Sequence, residues 1–178
     1  MAYFNSRGLR GSTLEQFINL TNDVYKEKRL AIIQKIPTPI TPVKINQQTK
    51  NITLAYFNEK STVDYMGVVQ GIPVCFDAKE TSKNYLPLQN IHQHQVDFME
   101  IFQQQEGIAF MLVYFKMYEE YYFLPFKDLF KYWQDAKNGG RKSIPYKNFD
   151  KKYLIKQNGK FYIHYLEALN TYLKENIN

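Results

Sequence analysis

The chain has 178 residues, a formal net charge of +6 and one cysteine, with 15 tyrosines and 13 phenylalanines. That length suits one domain with a substantial core, and an aromatic content of 16% excludes a generally disordered chain. A lone Cys75 excludes an intramolecular disulfide and favours an intracellular location, and it makes a zinc site improbable by count of ligands.

Charge is unevenly placed. Residues 1–60 carry nine Lys/Arg against four Asp/Glu, residues 61–125 three against eight, and residues 126–178 eleven against five. An acidic centre between basic flanks suits chemistry on a polyanion, with phosphate held by the flanks and a cation drawn to the centre. A generically basic soluble protein is the plainer reading. Met1–Ser12 is polar with two arginines, so no signal peptide is expected. The longest apolar run, Ile108–Phe115, is too short to span a bilayer, so no membrane partner is expected.

Ser12-Thr13-Leu14-Glu15 reads as a capping box opening a helix, with Leu14, Phe17, Ile18, Thr21, Val24 and Tyr25 at helical spacing to about Lys28. Arg7 and Arg10 ahead of it are phosphate contacts or a frayed basic terminus. Leu30–Ile36 reads as a strand, and Pro37, Pro39 and Pro42 then hold the backbone extended. Val43–Asn46 and Ile52–Phe57 alternate around the polar tip Gln47-Gln48-Thr49-Lys50. This is a hairpin made basic by Lys44 and Lys50, and it is long enough to leave the globular body. An ordinary hairpin or a sheet edge is the plainer reading of the residues alone.

The centre of the chain, Ser61–Thr81, holds two short apolar runs, Tyr65–Val69 and Ile72–Phe76, around Gln70-Gly71. A two-residue turn there sets Val69 opposite Ile72 and, by extension, Asp64 opposite Asp77 and Thr62 opposite Lys79. Alternation places Thr62, Asp64, Asp77 and Lys79 on one face, and Val63, Tyr65, Val69, Ile72, Val74, Phe76 and Ala78 on the other, core face. Facing carboxylates repel, so the patch calls for a compensating partner. A divalent cation with oxygen ligands fits, magnesium commonly using one or two carboxylates with phosphate and water. Lys79 can then hold an attacking water or balance charge on a phosphate. The alternative is a hairpin with solvated charges.

After Pro87 a helix is predicted from about Leu88 to Gln105, stopped by Gly107, with Ile91, Gln95, Phe98 and Phe102 on its buried stripe. A buried Gln95 needs partners, either at the hairpin site or on a nearby backbone group. His92 and His94 are two apart and are poor joint ligands. Ile108–Lys116 is a fully apolar strand with Tyr121–Leu124 as its neighbour. A helix follows from about Pro125 to Lys137, ended by Asn138-Gly139-Gly140. Arg141–Lys160 is basic and loop-rich, and Ile163–Glu175 is a last amphipathic helix. The order predicts an α/β fold, a mixed β-sheet flanked by helices.

Asp64, a gap, then Asp77-Ala78-Lys79 resembles the PD-(D/E)xK nuclease pattern. Around it stand AYF at 55–57, STVDYMGVVQG at 61–71, FDAKET at 76–81 and PLQNIHQHQVDFM at 87–99. With RGSTLE at 10–15 and IPTP at 36–39, these resemble the RecU family of Holliday-junction resolvases, over roughly Arg10 to Trp133. One departure is Asp77, where the family usually has Glu.

The resemblance implies a restriction-endonuclease-like core in a single nuclease domain spanning 1–178, with the hairpin at about 37–57 as a protruding stalk that enters a four-way junction. It implies a Mg²⁺-dependent endonuclease, with Mn²⁺ as an alternative, in which Asp64, Asp77, Thr62 and Gln95 hold the metal and Lys79 assists the water. Glu15, besides capping its helix, is placed near that metal. The expected partners are branched DNA, a second copy in a homodimer making paired nicks, and a recombinase. The setting is cytoplasmic recombination and repair. Two alternatives are a non-catalytic junction-binding or strand-annealing protein and a restriction-type nuclease on duplex DNA.

Overall fold

The computed structural model describes residues 13–58, 62–156, 159 and 161–176. Its centre is a six-stranded mixed sheet in the order β1-β4-β5-β7-β8-β10, comprising Ile32–Lys35, Tyr65–Val69, Ile72–Thr81, Ile108–Phe115, Glu120–Pro125 and Leu154–Ile155. All neighbours run antiparallel except β5 and β7, which are parallel, with Asp77 beside Met111 and Lys79 beside Val113. A parallel pair needs a long crossover. Residues 82–107 supply it, carrying β6 (Tyr85–Pro87) and α2 (Gln93–Gln104).

The apolar run 108–115 is the reason β7 sits inside the sheet, since a strand covered on both faces has no use for alternation. On one face α1 (Thr13–Glu27) and α4 (Tyr165–Asn176) pack through Leu14, Ile18, Tyr25, Tyr165 and Leu169. On the other, α2 and α3 (Phe126–Lys137) pack through Val96, Met99, Phe126 and Leu129. Aromatic rings stack across four adjacent strands beneath α1 and α4. Tyr65 lies on Phe76 with ring centroids 4.7 Å apart, Phe76 on Phe110 at 4.7 Å, and Phe110 on Phe123 at 4.4 Å. Such pairs add about 0.5–1.5 kcal/mol each beyond the area they bury.

Between β1 and β4 the chain makes a separate two-stranded sheet, β2 (Ile40–Ile45) with β3 (Ile52–Phe57). Every residue of β2 is exposed, and only Ala55 of β3 is half-buried. Asn46 closes the tip, its Oδ1 accepting from the backbone N–H groups of Gln48 and Thr49 at 2.9 and 3.1 Å. Lys50 completes the turn at φ 60°. The remaining pair, β6 with β9 (Ser143–Pro145), ties the segment after α3 to the crossover.

Two predicted elements differ. The helix after Pro87 is broken: Leu88–Asn90 form a 3₁₀ turn, Ile91 and His92 are extended, and α2 starts at Gln93. Its inward side is therefore Gln95, Val96 and Met99, with Phe98 and Phe102 at the margin and Ile91 buried ahead of the helix. Leu30–Ile36 shortens to a four-residue β1.

Candidate active site

The central hairpin turns at Gln70 (φ 48°) and Gly71 (φ 91°), both left-handed, which matches the twist of the flanking strands. Its ladder runs from Val69↔Ile72 to Tyr65↔Phe76, the register that the spacing predicts. Asp64 lies one position beyond the ladder's open end, fixed at both ends of the residue. Its carbonyl accepts from the Ile36 N–H at 2.8 Å, and its Oδ2 accepts from the Ala78 N–H at 3.1 Å. That second bond brings the Asp64 carboxyl beside Asp77.

Asp77 has 0% exposure. The expectation of one charged face and one core face is thus corrected: both faces of the hairpin are covered. Tyr65, Val74 and Phe76 pack under α1 and α4, while Cys75 packs with α2 and α3 on the side that Asp77 shares. Val63 belongs to the Asp77 side and not with Tyr65, because the chain bends through 62–64 before β4 begins and alternation does not run back through a bend.

Neither carboxylate oxygen of Asp77 has a hydrogen-bond partner. The Lys79 ammonium meets Oδ2 as an ion pair, without hydrogen-bond geometry. Burial, then the adjoining Asp64 carboxyl, pushes Asp77 up to about 8, and Lys79 opposes the shift. A buried acid that lacks donors is costly unless something else occupies its lone pairs. Among the described residues no group of three or more His, Cys, Asp or Glu side chains could hold a metal. The donor set is therefore two carboxylates plus neutral oxygens, which fits a hard divalent cation that keeps water or takes phosphate oxygens, and does not fit zinc.

The other predicted residues take varied places. Thr62 is half-buried in the bend two residues ahead of Asp64. Gln95 is buried, but its Oε1 accepts from the His92 backbone N–H at 3.0 Å. The break at Ile91–His92 creates a helix start that takes that acceptor. Glu15, in the first turn of α1, reaches the Lys35 ammonium at 2.5 Å. Tyr65 ties this turn to the site, its hydroxyl meeting the Glu15 carbonyl at 3.4 Å and Asn19 Oδ1 at 3.0 Å. Lys44 and Lys50 stand exposed on the β2–β3 hairpin, away from the carboxylates in sequence and sheet. Arg7, Arg10 and Ser12 lie outside the described residues.

Sequence reasoning missed Lys35 and Ile36. Both sit on edge strand β1, whose pairing with β4 (Lys35↔Tyr65) delivers an ammonium to Glu15 and an N–H to Asp64. No local signal in 32–36 announces this, since it depends on which strand flanks the hairpin.

Two aspartates and a lysine at the open end of a β-hairpin inside a helix-flanked mixed sheet define a protein of the PD-(D/E)xK nuclease class. The family model for RecU, Recombination protein U, matches residues 9–171, well past the Trp133 limit of the quoted motifs. The chain is 44% identical over 168 residues to the Holliday junction resolvase RecU of Oenococcus oeni, covering 91% of this chain and 85% of that one. It is 40% identical over 172 residues to the Holliday junction resolvase RecU of Leuconostoc mesenteroides, covering 94% and 83%. A solved Holliday junction resolvase, Hjc of Archaeoglobus fulgidus, is similar at 11% identity and TM-score 0.36 over 65% of this chain and 75% of that one, too remote to bear on what the chain does. The chain belongs to the RecU family.

Proposed function

We propose that the chain, as one nuclease domain with residues 37–57 as an inserted stalk, is a divalent-metal-dependent endonuclease. It resolves Holliday junctions by paired symmetrical nicks in recombination and repair. The observation that carries the reading is Asp77, a fully buried carboxyl that adjoins the Asp64 carboxyl and is ion-paired with Lys79. The names borne by the relatives support the substrate.

Asp64, Asp77, Thr62 and Gln95 would hold the metal, directly or through water, and the Gln95 Oε1 also accepts at the start of α2. Magnesium is the proposed ion and manganese a substitute, and it supplies Lewis-acid polarisation of the scissile phosphate and a water of lowered pKa. The Ala78 N–H and the β1 contact at Ile36 hold Asp64 at one angle, so that little reorganisation is left at the moment of reaction. Lys79, its side chain 18% exposed, places its Nζ beside Asp77 where it can hold a water or balance charge building on phosphate oxygens. Glu15, ion-paired to Lys35, adds negative charge at the rim and sets the position of α1.

The exposed β2–β3 hairpin, with Lys44 and Lys50, is the proposed element for the open centre of a junction. Two copies would supply the two cuts, and a recombinase is a further proposed partner. Among the described residues no helix is long and apolar enough to cross a membrane, and the proposed setting is the cytoplasm.

The test is incubation with four-way, linear duplex and single-stranded DNA in Mg²⁺, Mn²⁺ or EDTA. The reading expects paired nicks in the four-way substrate alone, abolished by EDTA. Tight junction binding without cutting in either ion overturns it in favour of a non-catalytic binder.

A further inference from the structure

Away from the carboxylates, a groove of about 240 Å³ opens between the 3₁₀ turn after β6 and the C-terminal half of α3. Leu88 and Ile91 form one wall, Trp133 and Ala136 the other, and Lys137 and Lys142 stand at the rim. The walls are preformed: the Leu88 N–H donates to the Lys142 carbonyl at 3.1 Å, and Leu86 pairs with Ile144 in the β6–β9 ladder just behind.

Two observations indicate what the groove takes. First, the Trp133 indole Nε1–H is buried with no acceptor. That N–H has no accessible surface, so what Trp133 offers the groove is the apolar face of its ring and not a donor. Second, no acidic side chain lines the groove, and neither Lys137 nor Lys142 has an ion-pair partner among the described residues. Asp135, the nearest acid on α3, lies in the turn against Gly140 instead. Apolar walls and two rim cations without an ion-pair partner among the described residues together describe the complement of an apolar side chain flanked by carboxylates.

We propose that this groove is a docking site for an acidic peptide segment of a partner protein, seating a bulky apolar side chain between Ile91 and Trp133 with its acidic neighbours against Lys137 and Lys142. It shares no side chain with Asp64, Asp77 or Lys79, so it stands or falls independently of the nuclease reading. A nucleic-acid strand stacking a base on Trp133 is the competing occupant, and the oligonucleotide arm of the test below separates it from a peptide.

The experiment pans the whole protein against a phage-displayed library of random dodecapeptides, counter-selecting on an Ala136→Glu variant whose fold is checked by circular dichroism and whose junction cleavage should be unchanged. An enriched peptide is then titrated while the emission of Trp133, the chain's single tryptophan, is followed. The expected result is enrichment of sequences with Leu, Phe or Trp among Asp and Glu, and a saturable emission change. Replacing Lys137 and Lys142 by Gln should weaken affinity by about tenfold, and added salt should weaken it further. Enrichment of basic peptides, no sequence separating wild type from Ala136→Glu, or a single-stranded oligonucleotide that displaces the peptide and perturbs Trp133 more tightly would each overturn the proposal.

Discussion

Asp77 concentrates the chemistry of the site in one carboxyl, and its ionisation sets two opposite trends with pH. Burial and Asp64 raise it from the ordinary 3.8 to about 8. Between those values the folded protein keeps a proton that the unfolded chain has released, so the stability this group contributes falls as pH rises and levels off above about 8. Metal binding needs the charged form, so metal affinity should rise over the same range. Asp77→Asn should therefore melt higher than metal-free wild type at pH 8, show a flatter melting curve against pH, bind junctions and cut none. Melting curves from pH 5 to 9, set beside cleavage gels, check both halves; a variant that cuts at the wild-type rate removes Asp77 from the mechanism. Asp77→Glu, the usual family residue, should stay active. Lys79→Ala should slow single-turnover cleavage by roughly 10²-fold with little loss of metal affinity, since an ammonium is not a ligand. An unchanged rate would reduce Lys79 to a strand residue paired with its neighbour.

At the scale of elements, the β2–β3 hairpin and the sheet that bears the site should be separable. Replacing Val43–Ile52 by a Gly-Asn turn removes strands that pair only with each other, so the melting temperature should barely move. Preference for four-way over linear DNA should collapse, and loss of Lys44 and Lys50 should flatten the salt dependence of binding by up to about two phosphate equivalents per subunit. Competition of the two substrates across a salt series decides it, and retained preference would place selectivity elsewhere. The aromatic stack predicts the reverse behaviour. Phe110 is fully buried between Phe76 and Phe123, so Phe110→Ala should cost about 3–5 kcal/mol in urea unfolding while leaving the stalk intact. The central hairpin was legible in advance because Gln70-Gly71 dictates a two-residue turn and the turn dictates register. The helix after Pro87 was read too long because its apolar spacing continues across Ile91, where only the tertiary placement of the 3₁₀ turn shows the break. Asp77's burial was likewise hidden: alternation says which residues share a face, and what covers that face is decided by α2 and α3 far along the chain.

For the molecule as a whole, the parallel pairing of β5 with β7 has a consequence in time. The carboxylate hairpin is complete by Thr81, yet its partner strand begins only at Ile108, and α3, which helps to cover the Asp77 side, ends at Lys137. At about 5–20 residues per second, the ribosome exposes the hairpin for seconds before the ladder beside Asp77 and Lys79 can close. During that interval β7, α2 and α3 are not yet in place to cover the Asp77 side. A fragment ending at residue 107 should accordingly bind Mn²⁺ far more weakly than the full chain in a calorimetric titration; equal affinity would show that the hairpin alone makes the site. The order of synthesis thus predicts that cleavage appears only once the chain has been extended past β7.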